Sequence, residues 1–341
     1  MTMGRALIIF FLVSVFQSAL AQYETGGRPN LNELTDLFSG PVPKWRPKGS
    51  GYAFLNETGL IIRTQDGSVT VAEAQNNFEW SHDGNSLIYT TKDSTGNLKI
   101  FQYFLASKIS KSISVPSNWS DFYPTISPDD SVICYYSAKD EPFKIYYTKS
   151  GITRKIVAHD PSEEYLHPKW SPKGKYLLYF KHQQPNDPIL EVMDFATKKV
   201  IFSLDGNKFD FYDWSPDESE ILVRENIATL EDPNYYKGRL VRINISSNEK
   251  VTLTKKFSDL FAAEWTHPTR IVFCANQTIY TVDYHGQNGR KIFKGGNFPN
   301  VDPDGQKIIF VRNKKGIPVY EIGLDGKNLK LLEQTTFAES K

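Results

Sequence analysis

Residues 170–179 read Trp170-Ser171-Pro172-Lys173-Gly174-Lys175-Tyr176-Leu177-Leu178-Tyr179, and this stretch decides the fold. A large apolar residue precedes a tight turn, and a run of apolar and aromatic residues follows it. Pro presets φ in the turn, and Gly takes the positive φ that a sharp reversal requires. The run after the turn has the composition of a strand. The string returns at Trp80-Ser81-His82-Asp83-Gly84 and at Trp214-Ser215-Pro216-Asp217-Glu218, each time ahead of its own apolar run. Looser copies begin at Trp45, Ile126, Trp265 and Val301, so the seven anchors are 35, 46, 44, 44, 51 and 36 residues apart.

That period is too long for one hairpin and suits a blade of four strands. In the unit anchored at Trp170, strands are expected over 176–182, 189–195 and 199–204, and 209–214 becomes the innermost strand of the next blade. The last unit offers 307–313, 318–324 and 329–334. The chain is therefore read as all-β: a β-propeller of four-stranded antiparallel blades over 41–334, with seven blades, or six with a shared closing strand. One blade cannot bury both faces alone, so neighbours stack. The anchor tryptophans are read as packing residues between blades.

The series Trp-Ser-Pro-x-Gly, β-run, Asp-x-x-Gly-like turn resembles the repeat of TolB-like propellers. It is also similar to the propellers of the prolyl oligopeptidase and dipeptidyl-peptidase families. The resemblance spans essentially all of 41–334 and implies the fold, while the function stays open because this fold carries unrelated activities. The peptidases add a hydrolase domain, whose Gly-x-Ser-x-Gly elbow is absent from this sequence.

Arg5, the apolar run from Ala6 to Phe16 and Ala19-Leu20-Ala21 have the form of a signal peptide, 1–21, leaving a mature chain from Gln22. The protein is accordingly expected to be secreted, or periplasmic if bacterial. Residues 22–40 hold a short expected helix in which Leu31, Leu34, Leu37 and Phe38 share a face, and 335–341 are read as a disordered tail. No later stretch approaches the ~20 apolar residues of a membrane span. Loss of Arg5 brings 40 basic residues level with the 39 acidic ones, which argues against nucleic acid as a partner. Cys134 and Cys274 lie in apolar strand runs and are read as buried small hydrophobes.

The six histidines are scattered, with no His-Glu-x-x-His, no Cys-x-x-Cys and no phosphate-cradling Gly-Lys-Ser/Thr loop. No cofactor or metal is expected. One residue before each anchor, Lys44, Glu79, Thr125, Lys169, Asp213, Glu264 and Asn300 are polar in every unit, and could ring the channel together with His167. Anchor turns are tight throughout. The opposite face, made by second-to-third and fourth-to-first connections, carries the insertions, where recognition usually sits. Its candidate aromatic contacts are Phe122, Tyr123, Tyr165, Tyr235 and Tyr236. Glycosylation acceptors occur at Asn56, Asn118, Asn244 and Asn276.

The functional expectation is a non-catalytic exported propeller binding a protein or glycan through that face. The alternative is a polysaccharide lyase or hydrolase, similar to propeller lyases such as oligogalacturonate lyase, with His167, Lys169, Asp213 and Glu264 in the channel.

Overall fold

The computed structural model describes residues 42–334, except 57, 73, 116, 139–142, 156–162, 184–187, 207, 228–236, 258, 268 and 313–317. The leader, the expected helix in 22–40, the tail, Tyr235 and Tyr236 lie outside the described residues. Within them, every regular element is a strand, and the strands form seven antiparallel sheets of four. Each sheet is one blade whose strands follow chain order, from residues 44–72 for blade 1 to 297–333 for blade 7. Among the described residues no strand is shared between the first and last blades, and with seven complete sheets the seven-bladed reading holds and the six-bladed alternative does not.

The first strands of the blades are Lys44–Trp45, Ala74–Trp80, Asp121–Ile126, Glu163–Trp170, Phe209–Trp214, Leu260–His267 and Asn297–Val301. Six of the seven end on the anchor residue, because the turn that follows admits no further pairing. The serine of that turn fixes it: Ser171 Oγ accepts the Tyr176 amide at 2.9 Å, and Ser81 and Ser215 hold Ser86 and Glu220 alike. Gly174 takes φ +75° in this turn, and Gly84 takes +71°.

Anchor tryptophans pack on the preceding blade as the repeat implies. Trp214 stacks on Tyr176 of blade 4 at 6.1 Å and joins Leu178 and Leu190 in one cluster with Ile221 and Val241 of its own blade. Trp170 is buried with Val132, Cys134 and Ile145 of blade 3. Full burial of each such aliphatic side chain contributes about 1.5–3 kcal/mol. Both cysteines are free and buried, and burial pushes both thiols up.

Blades 1 and 7 meet through side chains. Phe54 and Ile61 pack against Phe298, Ile309, Val311 and Val319, and the Trp45 amide donates to Asn300 Oδ1 at 2.8 Å. Among the described residues the ring is closed by packing rather than by strand exchange.

Candidate functional site

First strands of neighbouring blades contact one another around the axis, and their pre-anchor residues converge there. The electrostatic field at Lys44 includes Glu79, Lys169 and Glu264, side chains from blades 2, 4 and 6. Several of the pre-anchor side chains expected from sequence to line the channel bond in one pattern. The Asp213 carboxylate accepts the amide of Trp265, the next blade's anchor, at 2.7 Å. Glu264 accepts the Val301 amide at 3.0 Å, Asn300 accepts that of Trp45, and Glu79 reaches the Ile126 amide at 3.4 Å. At these four positions the side chain one residue before an anchor therefore holds the amide of the following anchor, which otherwise would face the channel unpaired.

The lysines complete the ring differently. Lys44 Nζ donates to the Phe78 carbonyl at 2.7 Å, and Lys169 Nζ to Asp213 Oδ1 at 2.9 Å. Water reaches 45 % of the Lys169 side chain although protein surrounds it, the condition of a wet axial channel. Burial opposes its charge, but Asp213, Glu264 and Glu79 outweigh burial and hold the ammonium above its usual range. Lys44 lacks a paired carboxylate, and burial, aided by Lys169, depresses it. Burial and the neighbouring Asp213 raise Glu264 to about 8, against bonds from Val301 and Asn300 that favour its charge. Glu264 is thus protonated at neutral pH beside an acid paired with a lysine.

One level up the strands stand bulged aromatic positions. The first strands of blades 2–7 all shift register before the anchor. Tyr123, His167 and Phe298, each three residues ahead of its anchor, have φ of 53°, 51° and 52°. The extra residue re-aims the side chain. His167 and Tyr123 lie ring to ring at 4.0 Å, and Phe122 touches Tyr123 and Tyr136. Burial lowers His167 to about 4, so it is neutral at pH 7, and its Nε2 is buried without a hydrogen-bond partner. Among the described residues, no group of three His, Cys, Asp or Glu side chains could share a metal ion.

The insertion face differs from its sequence reading at Tyr165. The strand Glu163–Trp170 begins inside the expected loop, and strand alternation turns Tyr165 into the core, 3 % exposed against Tyr179. Phe122 and Tyr123 likewise sit on a strand, Asp121–Ile126. The exposed aromatic is one the sequence reading passed over: Trp119, 51 % exposed, on the connection 113–120. Beneath it, the buried Lys99 ammonium holds Ser117 Oγ at 2.9 Å, the Trp119 carbonyl and the Asp121 carboxylate at 3.3 Å. Ser120 Oγ accepts the Leu98 amide, tying this connection to the neighbouring turn 93–97. A lysine that follows a two-residue alternation into a core and meets Ser-x-Trp-x-Asp was the available signal. Of the sequon residues, Asn118 and Asn276 are exposed, whereas the Asn56 and Asn244 carbonyls accept turn hydrogen bonds.

A second contact set ties turns together. Asp130 and Glu218 occupy, at φ 57° and 69°, the position that Gly84 and Gly174 fill in their own turns. Their carboxylates reach back to the preceding blade: Asp130 accepts the His82 and Asp83 amides, and Glu218 accepts the Lys173 amide and the Ser171 hydroxyl.

No protein-family model matches the chain. Dipeptidyl-peptidase 5 of Porphyromonas gingivalis is 27% identical over 173 residues, 46% of this chain and 25% of that protein. The chain thus spans about a quarter of the length of this curated relative. Among solved structures, the oligogalacturonate lyase of Vibrio parahaemolyticus superposes with TM-score 0.60 at 12% identity, covering 76% of this chain and 77% of the lyase. TolB of Acinetobacter baumannii superposes with TM-score 0.52 at 14% identity, covering 86% and 79%. At these identities the likeness is one of architecture, and the chain shares its propeller fold with TolB and with propeller-bearing peptidases and lyases.

Proposed function

We propose that this chain is a non-catalytic propeller, exported by its leader, that binds a protein or glycan partner through the face carrying the longer connections. The observation that carries this reading is the division of labour between the two regions. In the channel, Asp213, Glu264, Asn300 and Glu79 each hold the next blade's anchor amide, which explains their polarity structurally. On the opposite face, Trp119 is held out on a connection fastened from below by a buried lysine. A large aromatic on a pre-organised loop loses little entropy on binding, the property of an interface anchor. The test is recovery of a partner from native extracellular or periplasmic material with Trp119→Ala and with connection 227–237 shortened. Undiminished recovery by both variants would remove this surface.

One observation favours a second reading. Two carboxyl groups line this channel in different settings: Asp213 is bonded to the Lys169 ammonium, and Glu264 is buried and raised to about 8 by burial and by Asp213. Contrasting carboxyl environments are the raw material of acid–base chemistry. On this reading the chain is a polysaccharide lyase or hydrolase, with His167 on the same first strand as Lys169, the partner of Asp213. Turnover of polygalacturonate that disappears in His167→Ala would establish it.

A further inference from the structure

Charge is sorted radially in this propeller. The seven first strands, around the channel, carry seven acidic and two basic residues, whereas the seven fourth strands, on the outer rim, carry nine basic and two acidic ones. The chain as a whole is near neutral, so the rim is basic only because the interior is acidic. Of the two rim acids, Glu333 is neutralised by Arg63.

Lysines on outer strands have a plain purpose, since they keep sheet edges from pairing with other chains. That purpose does not account for the aliphatic side chains beside them. Ile152 of blade 3 is 48 % exposed, and Ile189, Val200 and Ile201 of blade 4 are 39 %, 48 % and 44 % exposed. Blades 3 and 4 are neighbours that pack through one hydrophobic cluster, so their outer strands, Ile152–Lys155 and Lys199–Asp205, belong to successive blades of the rim. Lys149, Arg154, Lys155, Lys198 and Lys199 are exposed around these aliphatics.

The form of the blade 4 edge argues against a strand as its occupant. Register shifts between Val192 and Met193, with Ile201 the extra residue between Val200 and Phe202. A bulge in an edge strand disrupts the ladder that a further strand would extend. A surface that is bulged on its blade 4 edge and combines cations with exposed aliphatics on both blades matches an anionic lipid interface, where ammonium and guanidinium groups meet headgroups and aliphatic tips enter the acyl boundary.

We propose that the rim of blades 3 and 4 is a peripheral docking surface for an anionic bilayer. The propeller sits edge-on, leaving both turn faces and the channel open. This surface is separate from the Trp119 connection, and neither reading depends on the other.

The experiment is co-sedimentation of the mature chain with vesicles of phosphatidylcholine alone and of phosphatidylcholine with one third phosphatidylglycerol. Binding is expected only to the anionic vesicles and falls steeply with added salt. Combined Lys155→Glu, Lys198→Glu and Lys199→Glu weakens it by about a hundred-fold or more. Val200→Ser with Ile201→Ser weakens it by about ten-fold without altering its salt dependence. Arg290→Glu with Lys291→Glu, on blade 6, leaves it unchanged. All these side chains are exposed, and an unchanged melting temperature verifies each fold. Failure of the wild-type chain to sediment with anionic vesicles overturns the proposal. So does capture by a soluble acidic polysaccharide without vesicle binding, or equal loss in the blade 6 variant.

Discussion

The Glu333 carboxylate accepts hydrogen bonds from both Nε and Nη2 of Arg63, at 2.6 and 3.0 Å, across 270 positions of sequence. Tyr52 adds its hydroxyl to the same oxygen at 2.9 Å. Glu333 belongs to the last strand of blade 7, whereas Arg63 and Tyr52 belong to blade 1. Among the described residues those blades exchange no strand, and this three-way contact joins the Trp45–Asn300 bond in sealing the ring.

Removing the seal should loosen the closure. Glu333→Ala forfeits three bonds to one partly buried carboxylate and is expected to destabilise the fold by about 1–2 kcal/mol. Arg63 holds the Glu333 carboxyl below its usual range, more than burial raises it. A depressed carboxylate stabilises above its unfolded pKa and loses that contribution as pH falls through the folded value. Glu333→Ala should therefore lie below wild type at neutral pH and converge with it in acid, measured by thermal melting from acid to neutral pH.

The channel should respond to pH with the opposite sign. Glu264 titrates near 8 in the folded chain, against an ordinary value of 4.5. Between those values the folded state keeps a proton that the unfolded state has lost, so stability falls as pH rises through the window. His167, lowered to about 4 from 6.5, binds fewer protons when folded and supplies a rise over its own interval. The two contributions oppose each other below pH 6.5, and Glu264 acts alone from there to about 8. Melting temperature should drop over that upper interval in wild type and stay level in Glu264→Gln, which keeps an oxygen for the Val301 amide.

Two glycines in equivalent turns should differ. A Cβ on Gly174 would lie 3.3 Å from Pro128 Cδ, a contact that a slight shift relieves. On Gly84 it would lie 2.6 Å from the Lys48 carbonyl oxygen, which is backbone. Both substitutions to Ala incur the left-handed penalty of about 1–2 kcal/mol. Gly84→Ala should cost more, as chemical denaturation of the pair will show.

The platform under Trp119 should fail from below. Lys99→Met strands Asp121, whose side chain is 4 % exposed, without its cation. Leaving one partner of a buried pair uncompensated costs about 3–5 kcal/mol. Lys99→Met is thus expected to destabilise the fold and to shift Trp119 fluorescence. Trp119→Ala should leave stability nearly unchanged.

The sequence carried the fold because its anchors are punctuation. A Trp before Ser-Pro-x-Gly must end a strand, and the observed Tyr176–Gln183, Ile189–Asp194 and Phe209–Trp214 match their expected spans to within a residue. The recurrence of polar residues at one register position was legible in the sequence. What those residues hold was not, since the anchor amide of the next blade is some forty positions away. Tyr165 was misread because loop length was judged from insertions, while the strand starts before them. Asp130 and Glu218 stand where Gly84 and Gly174 stand in other repeats, and their role was not legible because the turns that their carboxylates hold belong to the preceding blade. Charge sorting between inner and outer strands became visible only once strand order was known.

The division between a structural channel and a binding face is tested most directly by partner recovery with two folded variants side by side. Trp119→Ala changes the loop face, and Lys169→Met with Asp213→Asn changes the channel while leaving an oxygen for the Trp265 amide. The account predicts that recovery collapses with the first and persists with the second. Recovery that persists with Trp119→Ala and collapses with the channel variant would contradict it.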